Sequence, residues 1–161
     1  MELNLKSWKE FNICGSSGLF KIYKCKGYSI KKLKAGNIPY VSRSARNNGI
    51  TQYCSNFEYK YNGNCITIHH EWKNFYCAFY QDKDFITDGM IYRLEHPNLN
   101  RNIGLFLCSI FNKMQANLKS DRYCGLKSLK ITLPVDQNNN PDWKFMEDYI
   151  NEREREIVIK I

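Results

Sequence analysis

The sequence of 161 residues lacks the features that mark membrane-spanning or exported proteins. Its longest apolar stretches, at 104–110 and 157–161, are far shorter than the roughly 20 residues that cross a bilayer. The N-terminus carries charge from its second residue and has no apolar segment of the kind found in signal peptides. We therefore expect a protein of the cytoplasm with no membrane partner.

Cysteine is present, but no two cysteines form a Cys-x-x-Cys pair. With seven cysteines, this pattern argues against a disulfide framework and against a zinc knuckle. Cys65, His69, His70 and Cys77 could be drawn as a zinc site, but metal fingers usually close each ligand pair within two to four residues. We expect reduced thiols, mostly buried as small hydrophobic groups, and neither a metal nor a cofactor.

Several catalytic motifs are also missing. The chain has no Gly-x-x-x-x-Gly-Lys-Ser/Thr phosphate loop, and the turn at 15–18 is too polar and isolated to be the cofactor loop of a methyltransferase. A magnesium nuclease of the Asp…Glu-x-Lys type could use 58–60 or 71–73, but the first aspartate, Asp82, lies downstream of both. A small magnesium nuclease stays open as the catalytic alternative, as does a Cys–His nucleophile, because such pairs assemble in space.

What the chain does have is the composition of one folded domain and a concentrated positive charge. Hydrophobic residues make up 43% and charged residues 25%, and the net charge is +8. Residues 1–60 hold 11 basic and 3 acidic side chains, whereas residues 61–161 hold 13 of each, so the whole excess lies in the first third. A weaker basic run contains Lys119, Arg122, Lys127 and Lys130. Such a pattern indicates a polyanion, most often nucleic acid, or else a solvated basic face without a partner.

The hydrophobic pattern predicts an α+β fold with a twisted, mixed or mostly antiparallel β-sheet and short helices. Asn-Gly and Asn-Gly-Asn steps predict sharp turns at 47–49 and 62–64. Alternating or β-branched runs predict strands at 19–25, 38–43, 65–68, 75–80, 89–94 and 129–135.

Two helices are predicted in the second half of the chain. Apolar spacing over 103–118 fits a buried helix. A C-terminal helix is expected from Pro141, with Asn140 as its cap, although the last six residues fit a strand equally well. Apolar residues recur on this helix at roughly heptad spacing, at Trp143, Met146, Ile150 and Ile157.

Several segments, taken in order, resemble one family. They are 36–43 (GNIPYVSR) with the Asn47–Gly49 turn, 79–81 with 84–85, 123–125 with 129–134, and 141–150. They are similar to the target recognition domain of specificity subunits in type I restriction–modification systems and in related bifunctional type II systems. The resemblance covers nearly the whole chain.

This resemblance implies a non-catalytic domain, residues 1–140, that reads half of a split double-stranded DNA target in the major groove. Residues 141–161 would then be a spacer and docking helix, cut short, that meets methyltransferase subunits, with endonuclease subunits as a further candidate partner. The chain would be a half-subunit, a lone module or part of a longer protein of a phage-defence system.

The residues themselves supply candidate DNA contacts. Arginine pairs with guanine, and Asn or Gln with adenine, whereas lysines contact phosphates and carry no sequence information. The expected contacts are Lys31, Lys32, Lys34, Arg43, Arg46, Asn47, Asn48, Gln52, His69, His70, Lys73, Arg122 and Lys127. For the two asparagines, a role in the turn alone is the alternative, and the lysines could be solvated surface groups.

The C-terminal helix is expected to present Trp143, Met146 and Ile150, either to its own core or to a partner helix. If two copies paired through it, the DNA target would be a palindromic bipartite sequence, a step that rests on analogy. A third alternative is a protein-interaction module, such as a regulator or inhibitor of a restriction complex, with no DNA binding of its own.

Overall fold

The computed structural model of the protein describes residues 2–55, 58–69, 77–117 and 129–159. These residues form nine strands and two long helices, together with three single-turn helices at Leu3–Leu5, Ile30–Lys32 and Asn47–Gly49. In chain order the strands and long helices are β1 (Trp8–Asn12), β2 (Lys21–Lys24), β3 (Ala35–Val41), β4 (Ile50–Cys54), β5 (Cys65–His69), β6 (Ala78–Gln81), β7 (Ile86–Thr87), β8 (Ile91–Glu95), α1 (Arg101–Asn117), β9 (Lys130–Pro134) and α2 (Trp143–Ile159).

The described strands form three sheets rather than the single sheet that the sequence predicts. A four-stranded antiparallel sheet has the order β2-β8-β5-β6. A three-stranded sheet has the order β4-β3-β7, in which β3 runs antiparallel to β4 and parallel to β7. β1 pairs with β9 alone. The α+β class and the mostly antiparallel pairing are confirmed.

The main core lies between the helices and one face of the four-stranded sheet. Because side chains alternate along a strand, Ile66 and Leu94 face the helices, where they join Phe106 and Leu107 of α1 and Met146 of α2. All five are at most 2% exposed. Neither α1 nor α2, each of 17 residues, has the length and apolar character needed to cross a membrane.

The other face of the four-stranded sheet packs against the three-stranded sheet. Cys65 and Ile91 on this face contact a cluster that includes Val41 and Phe85. The far side of the three-stranded sheet carries a third cluster, of Tyr40, Cys54 and Ile86, against which Leu33 packs. The order of layers is therefore helices, four-stranded sheet, three-stranded sheet and finally the segment before β3.

The predicted helix at 103–118 is confirmed as α1, whereas the start of the C-terminal helix is corrected. Pro141 forms an antiparallel bridge with Val135, so it belongs to the end of the β9 region and not to the helix. The cap is Asp142, not Asn140, because Asp142 Oδ1 accepts a hydrogen bond from the backbone N–H of Phe145 at 2.9 Å. α2 begins at Trp143 and stays helical to Ile159, so the prediction of a final strand is wrong where the chain is described.

Candidate nucleic-acid interface

Most of the unbalanced positive charge of the chain lies outside the two long helices. Between Glu10 and Glu58 the sequence holds no acidic residue. It holds eight basic ones: Lys21, Lys24, Lys26, Lys31, Lys32, Lys34, Arg43 and Arg46. This acid-free stretch forms β2, β3, β4 and the segment that covers the three-stranded sheet. The sheets therefore separate most of the unbalanced charge from α1 and α2.

The segment that covers the three-stranded sheet is residues 25–34, here called the lysine strap. Its backbone is held at both ends. Tyr28 N donates to Thr87 O at 3.0 Å, and Ser55 N donates to Lys34 O at 3.0 Å. Tyr40 Oη also donates to the carbonyl of Tyr28 at 2.7 Å, and burial raises the pKa of Tyr40 to about 12, so the phenol stays protonated as a donor.

On this fixed backbone, the lysine side chains point to solvent. Lys31, Lys32 and Lys34 are all exposed and form no ion pair with any described residue. The strap is therefore an ordered support for three unneutralised ammonium groups. That is the arrangement expected of phosphate contacts, because a phosphate contact needs a held backbone and a free charge.

Tyrosines support the first half of the strap. The rings of Tyr28 and Tyr59 lie 5.5 Å apart, and the Lys26 ammonium lies 5.8 Å from the centre of the Tyr59 ring. Tyr28 Oη donates to Glu58 Oε2 at 2.8 Å. Glu58, which the nuclease alternative would use as a metal ligand, is thus bonded within this aromatic group.

The turn between β3 and β4 has the sharp geometry that its sequence predicts. Asn47, Asn48 and Gly49 have φ angles of 50°, 55° and 78°. Asn47 Nδ2 donates to Ile50 O at 3.0 Å, which closes the turn. A Cβ at Gly49 would lie 3.3 Å from a methyl carbon of Val41, so the left-handed conformation and the close packing both favour glycine there.

Asn48 belongs to a polar network between this turn and the four-stranded sheet. Its Nδ2 donates to the Tyr80 carbonyl at 2.9 Å and to Gln81 Oε1 at 3.3 Å. Gln81 Nε2 donates in return to Asn48 O and to Thr67 Oγ1, each at 3.0 Å. Gln81 and Thr67 are 3% and 2% exposed. Of the two interpretations of Asn48, its contacts therefore support the role in the turn.

The other candidate side chains near the turn are partly engaged as well. Arg43 Nε lies 3.3 Å from Asp88 Oδ2, with the arginine side chain 44% exposed. Gln52 Nε2 donates to Cys54 Sγ at 3.1 Å and is half-buried. Arg46 is exposed, and its backbone N–H donates to Ser44 Oγ at 3.1 Å.

The structure places the predicted contacts at two ends of the β3–β4 hairpin rather than in one cluster. The lysine strap runs into the start of β3 at Ala35, and the turn follows its end at Val41. Seven strand residues at about 3.3 Å per step separate the two ends by up to about 20 Å. Of the remaining predicted contacts, His69 ends β5, where its backbone pairs with Ile91. His70, Lys73, Arg122 and Lys127 lie outside the described residues.

The three predicted docking residues of α2 face the core of their own chain. Met146 is fully buried, Ile150 packs against the main core, and the Trp143 ring lies 4.3 Å from the ring of His96. The exposed apolar residues of α2 are instead Ile157, Val158 and Ile159, at 61%, 72% and 83%.

Polar side chains at the start of α1 hold α2 in place. Asn100 Nδ2 donates to Glu147 Oε1 at 2.9 Å, and Asn102 Nδ2 donates to Asn151 Oδ1 at 2.7 Å. A third pair, Arg101 with Glu154, is 2.7 Å apart. Residues 147, 151 and 154 lie on one face of α2, because they are spaced by one helical turn. The sequence pattern showed the apolar positions of α2 but not this polar face.

The buried thiols Cys25 and Cys65 do not have the environment of a reactive cysteine. Cys25, Cys54, Cys65 and Cys108 are buried free thiols, as expected, whereas Cys14 and Cys77 are half-buried. Burial raises the pKa of Cys25 to about 11 and that of Cys65 to about 12, which is the opposite of what a nucleophile needs. Within the described ranges, no three His, Cys, Asp or Glu side chains form a group that could hold a metal ion.

The outermost layer of this α+β domain carries exposed lysines on a backbone that is held in place, an arrangement that suits contacts with phosphates. The chain belongs to the family of type I restriction modification DNA specificity domains, which matches residues 6–161. The resemblance noted in the sequence is thereby confirmed.

Comparison with known proteins finds one relative by sequence and further neighbours by fold. The chain is 25% identical over 158 residues to the type II restriction enzyme BcgI specificity subunit of Heyndrickxia coagulans, covering 94% of this chain and 45% of that protein. Its fold is similar to the HsdS subunit from Thermoanaerobacter tengcongensis, with a TM-score of 0.58 at 12% identity over 99% of this chain and 40% of that one.

A second solved structure, the type I restriction-modification S subunit from M. genitalium, gives a TM-score of 0.57 at 17% identity over 86% of this chain and 37% of that one. The chain thus spans less than half the length of the relatives it matches.

Proposed function

We propose that this chain is the sequence-reading part of a restriction–modification specificity protein, without catalytic activity of its own. It binds duplex DNA in the cytoplasm and directs methyltransferase subunits, with endonuclease subunits as further partners, to a target sequence. The observation that carries the proposal is the family match over 6–161, and the unneutralised lysine strap supports it physically.

The exposed ends of the β3–β4 hairpin suit the two edges of a major groove, which is about 12 Å wide. The later residues of β3 are buried between β4 and β7 and between the neighbouring layers, so DNA would contact the ends of the hairpin. Basic groups lie at both ends, on the strap and at Arg46. Lysines at one end and Arg46 at the other would contact phosphates on the two sides of the groove, with the hairpin between them.

For the rest of the assembly we propose a division of the chain at about residue 140. Residues 141–161 act as spacer and docking helix, and the exposed apolar end at 157–159 is the part of α2 available to a partner. Because the chain spans less than half of its relatives, a second reading domain would come from a second copy of this chain or from a longer protein.

The test is a selection from randomised duplex DNA at physiological salt, with the chain alone and with methyltransferase subunits of the same system. Enrichment of a defined half-site or split palindrome is the expected result. Salt-sensitive binding without an enriched sequence would contradict sequence reading and leave a general DNA binder. Absence of binding in both conditions would favour the protein-interaction alternative, and cleavage of a plasmid with magnesium by the pure protein would overturn the non-catalytic assignment.

A further inference from the structure

The β3–β4 hairpin contains an irregularity next to the lysine strap. Both Ala35 and Ile38 of β3 align with the same residue of β4, Cys54. Gly36 and Asn37 therefore have no partner across the ladder and form a bulge in β3. Bulges of this kind redirect a side chain away from the regular strand.

Gly36 is required for this bulge. A Cβ at residue 36 would lie 2.6 Å from both the carbonyl carbon and the carbonyl oxygen of Cys54. Any other residue would have to move one of the two strands, since both contact atoms belong to the backbone. Glycine thus lets β3 lie close to β4 at this point, while the next residue, Asn37, is exposed to solvent.

The Asn37 amide differs from the other amides of the hairpin. Asn47 donates to a backbone carbonyl, Asn48 is held by Gln81, and Gln52 donates to a thiol. The side chain of Asn37 is exposed and forms no hydrogen bond with any described residue.

Asn37 lies close in sequence to the lysines of the strap, which are the proposed phosphate contacts. Asn37 follows Lys34 by three residues, and the Lys34 carbonyl is held by Ser55 at the end of β4. The lysines of the strap would fix the DNA backbone near the bulge, since Lys31, Lys32 and Lys34 are exposed and form no ion pair with any described residue.

We propose that Asn37 is a specificity-determining residue that recognises adenine in the major groove. Its Nδ2 would donate to adenine N7 and its Oδ1 would accept from the N6 amino group, the bidentate pairing that suits an asparagine. The inference rests on the proposed function, because it takes the strap end of the hairpin as a part that faces the groove.

The test compares base preferences selected by the full chain with those of three variants. Asn37→Ala should flatten one adenine position, with its preference falling by roughly 5- to 100-fold, while the other positions and the overall phosphate affinity stay as they were. Asn37→Asp should move the preference at that position towards cytosine, whose N4 amino group donates to a carboxylate. Asn4→Ala changes an exposed amide in the single-turn helix Leu3–Leu5, which packs through Leu3 against the main core; it is the matched control and should select the wild-type sequence.

The outcomes separate the two proposals. If the wild-type chain selects a sequence and Asn37→Ala selects the same one with equal preferences, Asn37 does not read a base and only this inference fails. If Asn37→Ala weakens binding to all sequences alike, Asn37 either contacts the DNA backbone or supports the structure of the hairpin. This outcome also overturns the inference. If the wild-type chain enriches nothing, the proposed function fails and the inference fails with it. Thermal melting of each variant excludes unfolding, since an exposed residue without a ladder partner should leave the melting temperature unchanged.

Discussion

The side-chain amide of Gln81 bonds to both the side chain and the backbone carbonyl of Asn48. Asn48 Nδ2 donates to Gln81 Oε1 at 3.3 Å, and Gln81 Nε2 donates to Asn48 O at 3.0 Å. The pair joins the β3–β4 turn to the four-stranded sheet across the interface between the two sheets. Since Gln81 is 3% exposed, its amide has no access to water as a substitute partner.

Replacing Asn48 by alanine should therefore destabilise the fold. The change leaves the Gln81 carbonyl oxygen buried without its donor and forces alanine into a φ angle of 55°, so we expect a loss of about 2–3 kcal/mol in urea unfolding. Asn139→Ala is the matched control, because Asn139 has a φ angle of 65° but is exposed, and its side chain forms no hydrogen bond with the described part of the chain. Equal losses in both variants would show that backbone strain alone accounts for the effect.

Replacing Lys32 by alanine should weaken binding to every duplex by a similar factor. One phosphate contact fewer should lower the slope of log affinity against log salt by about one unit, without changing the preferred sequence. Fluorescence anisotropy on two unrelated duplexes at several salt concentrations measures both quantities. Lys113→Ala removes an equally exposed lysine from α1, behind the sheets, and should leave the slope unchanged. The assignment of the strap to phosphates is wrong if the two variants behave alike.

Asp142 should make folding stability depend on acidic pH. Burial would raise the pKa of this carboxyl group, but the hydrogen bonds and charge of Lys6 and the N–H of Phe145 outweigh it and hold the pKa below its usual range. A lowered folded pKa gives stability that is present above the unfolded pKa of about 4 and is lost as the pH falls through the lower folded value.

Two variants separate the cap of Asp142 from its charge. Asp142→Ala should cost about 1 kcal/mol or more at pH 7, because the cap is lost as well. Asp142→Asn keeps an oxygen for the Phe145 N–H, so its cost should be smaller and should decrease as the pH falls below the unfolded pKa of about 4. A difference between wild type and Asp142→Asn that is constant from pH 7 to pH 3 would contradict the role of the charge.

His96 should add a second pH dependence nearer neutrality. Its Nδ1 accepts the backbone N–H of Asn98 at 3.1 Å, its ring lies 4.3 Å from Trp143, and burial lowers its pKa. The neutral form is therefore favoured in the folded state. Stability is complete above the unfolded pKa of about 6.5 and declines as the pH falls below it, because the unfolded chain gains the proton first.

Unfolding followed by tryptophan fluorescence at pH 7.5 and pH 5.5 tests this expectation. His96→Asn keeps an acceptor at the position of Nδ1 but cannot titrate. This variant should lose less stability than the wild type over that interval. Equal losses would assign the pH dependence to other groups.

The sequence predicted those elements that are determined by interactions between residues close together in the chain. The turn at Asn47–Gly49 follows from residues that tolerate positive φ, and α1 follows from its apolar spacing. β1 could not be found in this way, because its partner β9 lies about 120 residues away, as Glu10 and Lys130 illustrate. Likewise, β7 is only two residues long and exists through its parallel pairing with β3.

In the candidate site, too, features that depend on nearby residues were predictable and features that depend on distant residues were not. Counting charges located the basic region correctly, because the lysines between Glu10 and Glu58 have no acidic neighbours in sequence. Asn48 bonds to Gln81, which lies 33 residues away, so a local sequence motif could not predict this contact. The same holds for Asn37, whose exposure results from a mismatch in register with Cys54 rather than from any pattern in β3 itself.

In a regular strand, a residue that faces a ligand must also pair with the neighbouring strand, but the bulge at Gly36 and Asn37 removes this second requirement. A residue inside a ladder must suit the neighbour opposite it, and slipping the register by one residue would turn every later side chain to the other face. Residue 37 has no such neighbour. Exchanging its side chain leaves the alignment of Pro39 with Tyr53 and of Tyr40 with Gln52 as it is. The side chain at residue 37 can thus be exchanged without a change in the register of the hairpin. Related chains can therefore differ at this surface position while they keep the same fold.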